Sequence, residues 1–340
     1  MKSLLAVSGR KIRIIILSIF PILAFFISLL VGPYGVSPPK VLKILYEGIF
    51  MAEISESLDR TIIMEIRLPR IVLSGLTGAC LSASGAALQG IFRNPLVDPF
   101  ILGISSGSAL GAALSIAFFS FLPVQLLSFL FAILAVLSAY LLARTQAEVT
   151  RLPLVLSGIV VSSFFTAMVS IVKFLVDPHR LQSIVFWLMG SFSLADWNAT
   201  RIALVGFFIG SVPLWLMRWR LNALSMGEEE ARALGVNVER ERALFICFST
   251  LAVSVPTSLC GIIGWVGLVV PHLVRMLLGP DHTILIPMSL TLGSGFMILA
   301  DTLSRTLTTF DIPCGIITSL LGAPFFIYVM RRGGIEAWGR

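Results

Sequence analysis

Residues 221–242 read LNALSMGEEEARALGVNVERER, and these 22 residues hold eight charged side chains. The chain around them, 340 residues in all, is 57% hydrophobic and only 13% charged. They lie between two apolar segments of membrane length, so they must stand in water. Residues 228–234 are rich in helix formers, and Gly235 sits where a short helix would stop. Asn237 can cap a second helix that runs through Arg240 into the next apolar segment. A loop that merely reversed the chain could be much shorter. The stretch therefore reads as two short helices joined by a glycine. A docking surface and a solvated connector both fit it.

Working outward, a mean hydropathy of +0.97 marks an integral membrane protein rather than a soluble domain. A spanning helix needs roughly 20 apolar residues. The charge-free runs 14–39, 71–92, 152–172 and 312–330 meet that length. Two more are too long for one span. Residues 99–143 break at Leu122-Pro123-Val124-Gln125, and residues 243–274 break between Pro256 and Gly264. The expectation is an all-α membrane protein of about ten spans, some short, forming one transmembrane domain over residues 1–340. Strands are not expected, because no sustained alternation of a membrane barrel is present. Arg10-Lys11-Arg13 before an apolar run resembles a secretory signal, but the run is too long and lacks a small-residue cleavage site. It reads as an uncleaved first span.

The net charge of +7 is a matter of topology. With ten crossings and both termini inside, 16 of the 25 basic residues fall on the inner side and nine on the outer. This positive-inside bias sets the orientation, places residues 221–242 in the cytoplasm and removes the case for a nucleic-acid partner. Cys80, Cys247, Cys260 and Cys314 are far apart and mostly inside apolar runs, and His179, His272 and His282 are scattered. Neither set has metal-ligand or disulfide spacing, so no metal site is expected. A phosphate-binding loop needs a lysine after glycine. The five lysines, Lys2, Lys11, Lys40, Lys43 and Lys173, follow Met, Arg, Pro, Leu and Val. Any ATP must be bound by another subunit.

Within the spans, Gly78, Ser82, Ala86 and Gly90 recur every four residues, as do Gly103, Gly107, Gly111 and Ser115. Small residues at this spacing let helix backbones meet in lipid, so these two spans belong inside the bundle. Between them, Arg93, Asn94 and Asp98 lie in a turn stiffened by Pro95 and Pro99. That turn is either a rigid self-bonded connection or part of an inner gate. Ser162 and Thr166 belong to a hydroxyl-rich fifth span, tolerated in any membrane helix and also suited to a wet cavity. Asp301 and Arg305, four apart, can pair on one helix face.

Six ordered motifs resemble the iron-chelate and cobalamin uptake permease family of type II ABC importers. They are RLPR at 67–70, GAALQGIFRNPLVDPFILGISSGSALGA at 85–112, LNALSMGEEEARALGV at 221–236, GIIGWVGLVVPHLVR at 261–275, GPDH with the later ADTLSR, and GIITSLLGAPFF at 315–326. Asp311 and Cys314 stand where many members carry Glu and Val. The resemblance implies a ten-helix permease in the inner cell membrane that pairs with a second copy as a homodimer. It further implies two cytoplasmic ATP-binding subunits and an extracytoplasmic substrate-binding protein, with no cofactor and no catalysis in this chain. It assigns Glu230, Ala231, Leu234, Gly235 and Val236 to the ATPase-coupling loop, and Asn94 and Leu96 to the inner gate. Ser162 and Thr166 become pathway-lining candidates. Arg67, Arg70 and Arg305 match arginines that receive acidic residues of the binding protein. The expected cargo is a ferric siderophore, haem or corrinoid, with molybdate or tungstate the alternative inside the family. A secondary transporter is the alternative from another class. It usually shows paired intramembrane charges or inverted repeats, and here few buried charges exist beyond Asp301.

Overall fold

The computed structural model describes residues 2–50, 57–145, 148–149 and 151–331. Helix α1 (Lys2–Leu30) enters from the inner side, and α2 (Pro38–Phe50) lies outside. The long α3 (Leu58–Phe92) returns, its first turns widened to π geometry over Ile62–Arg67. Then follow α4 (Ile104–Ala117), α5 (Val124–Ala143), α6 (Arg151–Leu175), the outer α7 (Pro178–Leu188) and α8 (Trp197–Leu216). On the inner side come α9 (Arg218–Met226) and α10 (Glu228–Ala233). The chain finishes with α11 (Val238–Cys260), α12 (Val266–Leu278), α13 (His282–Ser304) and α14 (Cys314–Arg331).

Among the described residues seven helices are long and apolar enough to span, and three shorter apolar helices, α4, α12 and α14, bring the crossings to the expected ten. The expectation of no strands needs one amendment. Arg144–Thr145 and Glu148–Val149 form a two-residue antiparallel ladder that closes the inner turn between α5 and α6. A loop this short satisfies its backbone groups by pairing with itself.

Helix α3 is the axis of the bundle. In its most apolar window 89% of the residues are buried, against 22% in α1. It packs on α13, α11, α12 and α8. The small-residue stripe explains this: a Cβ at Gly78 would collide with the Gly293 carbonyl of α13, so the two backbones touch. The second stripe works the same way, since a Cβ at Gly111 would strike the Leu127 carbonyl of α5. The breaks fall where proline and glycine placed them. Pro123 precedes α5, and the link between α11 and α12 turns through Gly261 at φ 76° and Trp265 at φ 72°.

Candidate functional site

The inner helical pair is exposed on one face and anchored on the other. Asn237 caps α11 by accepting the Arg240 N–H at 3.0 Å. Gly235, at φ 78°, ends α10 with the Val236 N–H donating to the Ala231 carbonyl at 3.0 Å. Leu221, Leu224, Ala231 and Val238 are buried against the bundle. Leu234 and Met226 stand out at 63% and 60% exposure, beside exposed Glu229, Glu230 and Arg232. Of the five residues assigned to coupling, Glu230, Leu234 and Gly235 face water, Val236 is half-buried, and Ala231 is fully buried under the loop.

The anchoring bonds reach four different spans. Arg93, in the left-handed cap of α3, donates to the Met226 carbonyl at 2.9 Å. Arg242 of α11 donates to Glu228 Oε1 at 2.6 Å, and Arg151 of α6 approaches the same oxygen at 3.4 Å. Asn222 Nδ2 donates to Asp281 at 2.9 Å, while its Oδ1 accepts the His282 N–H at the start of α13. Burial raises the Asp281 carboxyl, but the bonds from Asn222 and Thr283 outweigh it and hold the group below the usual carboxylate range. These bonds, most of them charge-assisted, tie the loop to the spans. Sequence places Arg93 only in the turn that is either a rigid connection or part of a gate, and it does not mark Asn222, Glu228, Arg242 or Asp281 as site residues. Their polar side chains in membrane-bounded turns are the signal, but their partners lie 14 to 133 positions away.

The gate candidates share the turn that Arg93 ties to the loop. Asn94 Oδ1 accepts the Leu96 N–H at 2.9 Å, and Leu96 is 44% exposed. Asp98 caps the short 3-10 turn Pro99–Leu102 by accepting the Phe100 N–H at 2.8 Å. Burial pushes its carboxyl up to about 6 against the pull of that N–H. On α6, Ser162 is half-buried near Gly103 and Thr166 is exposed. Within one chain α14 packs against α12 and α13.

At the outer end the three arginines converge in a knot. Arg70 holds Asp301 with both Nε and Nη2, at 2.9 to 3.0 Å, and reaches Asp311 with Nη1 at 2.6 Å. Asp301 is fully buried. Arg305 lies 3.8 Å from Asp301, so the expected pairing four residues along the helix is the weaker of the two. Arg305 spends its Nη2 on the Ser28 carbonyl at 2.5 Å and the Ser28 hydroxyl at 2.8 Å. Arg67 donates to the Leu29 carbonyl at 2.7 Å and to that of Tyr34. All three arginines are buried, at 4%, 8% and 5% exposure for Arg67, Arg70 and Arg305. The knot closes the outer ends of α1, α3 and α13 together.

Comparison with known proteins agrees with this layout. The profile of the FecCD transport family matches residues 19–332. An iron chelatin transport system permease of Helicobacter pylori is 45% identical over 271 residues, covering 80% of this chain and 82% of the relative. The molybdate import permease MolB of Haemophilus influenzae is 40% identical over 325 residues, covering 94% and 96%. A metal-chelate-type ABC transporter solved in an inward-facing conformation superimposes with a TM-score of 0.84 at 37% identity, covering 95% of this chain and 99% of that one. Family membership sets aside the secondary transporter. The chain belongs to the FecCD transport family and is a multi-pass permease subunit of an ABC importer, a membrane partner of the ATPase rather than the ATPase itself.

Proposed function

We propose that this permease moves a metal chelate, such as a ferric siderophore, haem or a corrinoid, into the cytoplasm by alternating access. It does so as a homodimer, driven by two ATP-binding subunits and fed by an extracytoplasmic binding protein. The observation that carries the reading is the inner helical pair, exposed on one face and bonded on the other to α3, α6, α11 and α13. A short helix pair held this way turns rigid-body motion of an ATPase into motion of the spans. Glu230, Leu234, Gly235 and Val236 form the gripped edge, and buried Ala231 keeps α10 seated. Asn94 and Leu96 form the inner gate, which Arg93 connects to the same loop. Ser162 and Thr166 line the pathway beside α14 of the second copy. The binding protein docks over the outer knot of Arg67, Arg70 and Arg305.

The test is Gly235→Arg. No atom lies within 4 Å of a Cβ built there, so the folded chain has room for the side chain, which would fill the space the ATPase is proposed to occupy, while φ 78° strains its backbone. Uptake should fall at least tenfold with unchanged membrane levels, while Gly235→Asn, which tolerates the left-handed backbone, should keep most of it. Normal uptake by the arginine variant would refute the coupling assignment. A second cargo, molybdate, is favoured by the length of the match to the Haemophilus permease. Proteoliposomes holding the full complex, offered a labelled ferric chelate or labelled molybdate, separate the two.

A further inference from the structure

The outer knot poses a contradiction for docking: its arginines match receivers of acidic groups, yet none offers a free, exposed guanidinium. The way in is Asp311. It is the one acid of the knot that reaches water, with its side chain 33% exposed against 10% for Arg70 and 0% for Asp301. It occupies only Arg70 Nη1, whereas Asp301 holds the other side of the same guanidinium. Three arginines face two carboxylates here, with Arg67 bonded to backbone carbonyls and Gly32 lying against both Arg67 and Arg305. The local excess of positive charge attracts an incoming carboxylate.

Asp311 also holds something in place. It sits in the segment between α13 and α14, and it accepts the Ser193 hydroxyl at 3.0 Å from the link between α7 and α8. That link in turn receives the Gly315 N–H of α14 on the Gly190 carbonyl at 3.3 Å and gives the Ser191 N–H to the Cys260 carbonyl at 2.7 Å. Beside these backbone bonds, and the one from the Ile312 N–H to the Ser304 carbonyl at 3.1 Å, Asp311 is a side-chain tie from the α14 segment and the link following α7 to Arg70 of the central helix α3.

We propose that Asp311 is an exchangeable latch. An acidic side chain of the docked binding protein replaces it on Arg70 Nη1, and the release of Asp311 removes the side-chain tie to α3, leaving the outer end of α14 and the α7–α8 link held by their backbone bonds alone and looser than before. The inference rests on the importer reading above and adds to it how docking is sensed. Asp301 stays bound throughout and keeps the buried guanidinium neutralised, so the exchange swaps one ion pair for another without stranding a charge.

The experiment uses Asp311→Asn in the full complex reconstituted in lipid nanodiscs. An Arg70 variant is avoided because it would orphan buried Asp301. Removing the competitor should tighten binding of the cognate binding protein about tenfold, the scale of one charge-assisted bond. It should also broaden the distance between spin labels at Leu58 and Phe310, two exposed outer positions, in the absence of binding protein. Ser193→Ala should broaden that distance in the same direction, by less. Unchanged affinity together with an unchanged distance overturns the latch. Weaker binding overturns it too, because Asp311 would then itself be receiving a basic group. If the wild-type complex binds no extracytoplasmic protein, the importer reading fails first, an outcome plainly different from either.

Discussion

Arg70, Asp301 and Arg305 show how a buried charge finds its partner. From sequence, Asp301 had an arginine one helical turn away, and spacing alone made Arg305 the natural mate. In the fold Arg70, 231 positions distant, takes the carboxylate with two nitrogens, because a planar guanidinium beside a buried acid forms more and shorter bonds than one lying along the same helix. Arg93 is a similar case, a turn residue whose bond to Met226 exists only once the inner loop folds back on α3. Asp98 adds a pH dependence. Its ordinary value of 3.8 is raised to about 6 in the fold. Folding therefore favours its protonated form, a contribution fully present below about pH 4 and lost as pH rises through about 6. The thermal midpoint of the solubilised permease should drop between pH 5 and pH 7.5 by more than that of Asp98→Asn. Equal slopes would place the carboxyl in water.

Among the elements, α3 and α4 were the most legible. Their four-residue glycine and serine rhythm already said that each had a close neighbour, and the structure supplies α13 for the first and α5 for the second. The neighbours' identities were not in the rhythm, since small residues state only that a backbone comes near. Gly111→Leu should wedge α4 from α5, a clash that backbone shifts must relieve at about 1–3 kcal/mol or more. The expected result is loss of a monodisperse peak on size exclusion and a lower melting temperature. A variant that elutes and melts like the parent would mean the two helices do not meet at that position. The π turn over Ile62–Arg67 and the positive φ of Trp265 had no sequence signal. Both are local backbone departures held by surrounding packing rather than by propensity.

For the whole molecule, the burial gradient from α3 to α1 and the exposed apolar faces of α1 and α6 describe a bundle whose outer ring meets lipid or a second copy. Among the described residues the longest strongly charged excursion of the inner side is the helical pair, which is bonded to four spans and exposed beyond them. Uptake should therefore be absent from vesicles holding the permease and binding protein without an ATP-hydrolysing subunit, and should appear when that subunit and ATP are added. Full uptake in its absence would refute the proposed coupling. Hydropathy determined the number of crossings, positive residues their direction, and glycine, proline and Asn237 the limits of the helices, because each acts through the solvent or through its nearest neighbours. The tertiary structure alone decided that Arg67, Arg70 and Arg305 are buried, that Asp301 belongs to Arg70, and that Asp311 ties the α14 segment to α3. Those outcomes depend on which distant groups are brought within hydrogen-bond reach, in an interior where an unpaired charge is costly.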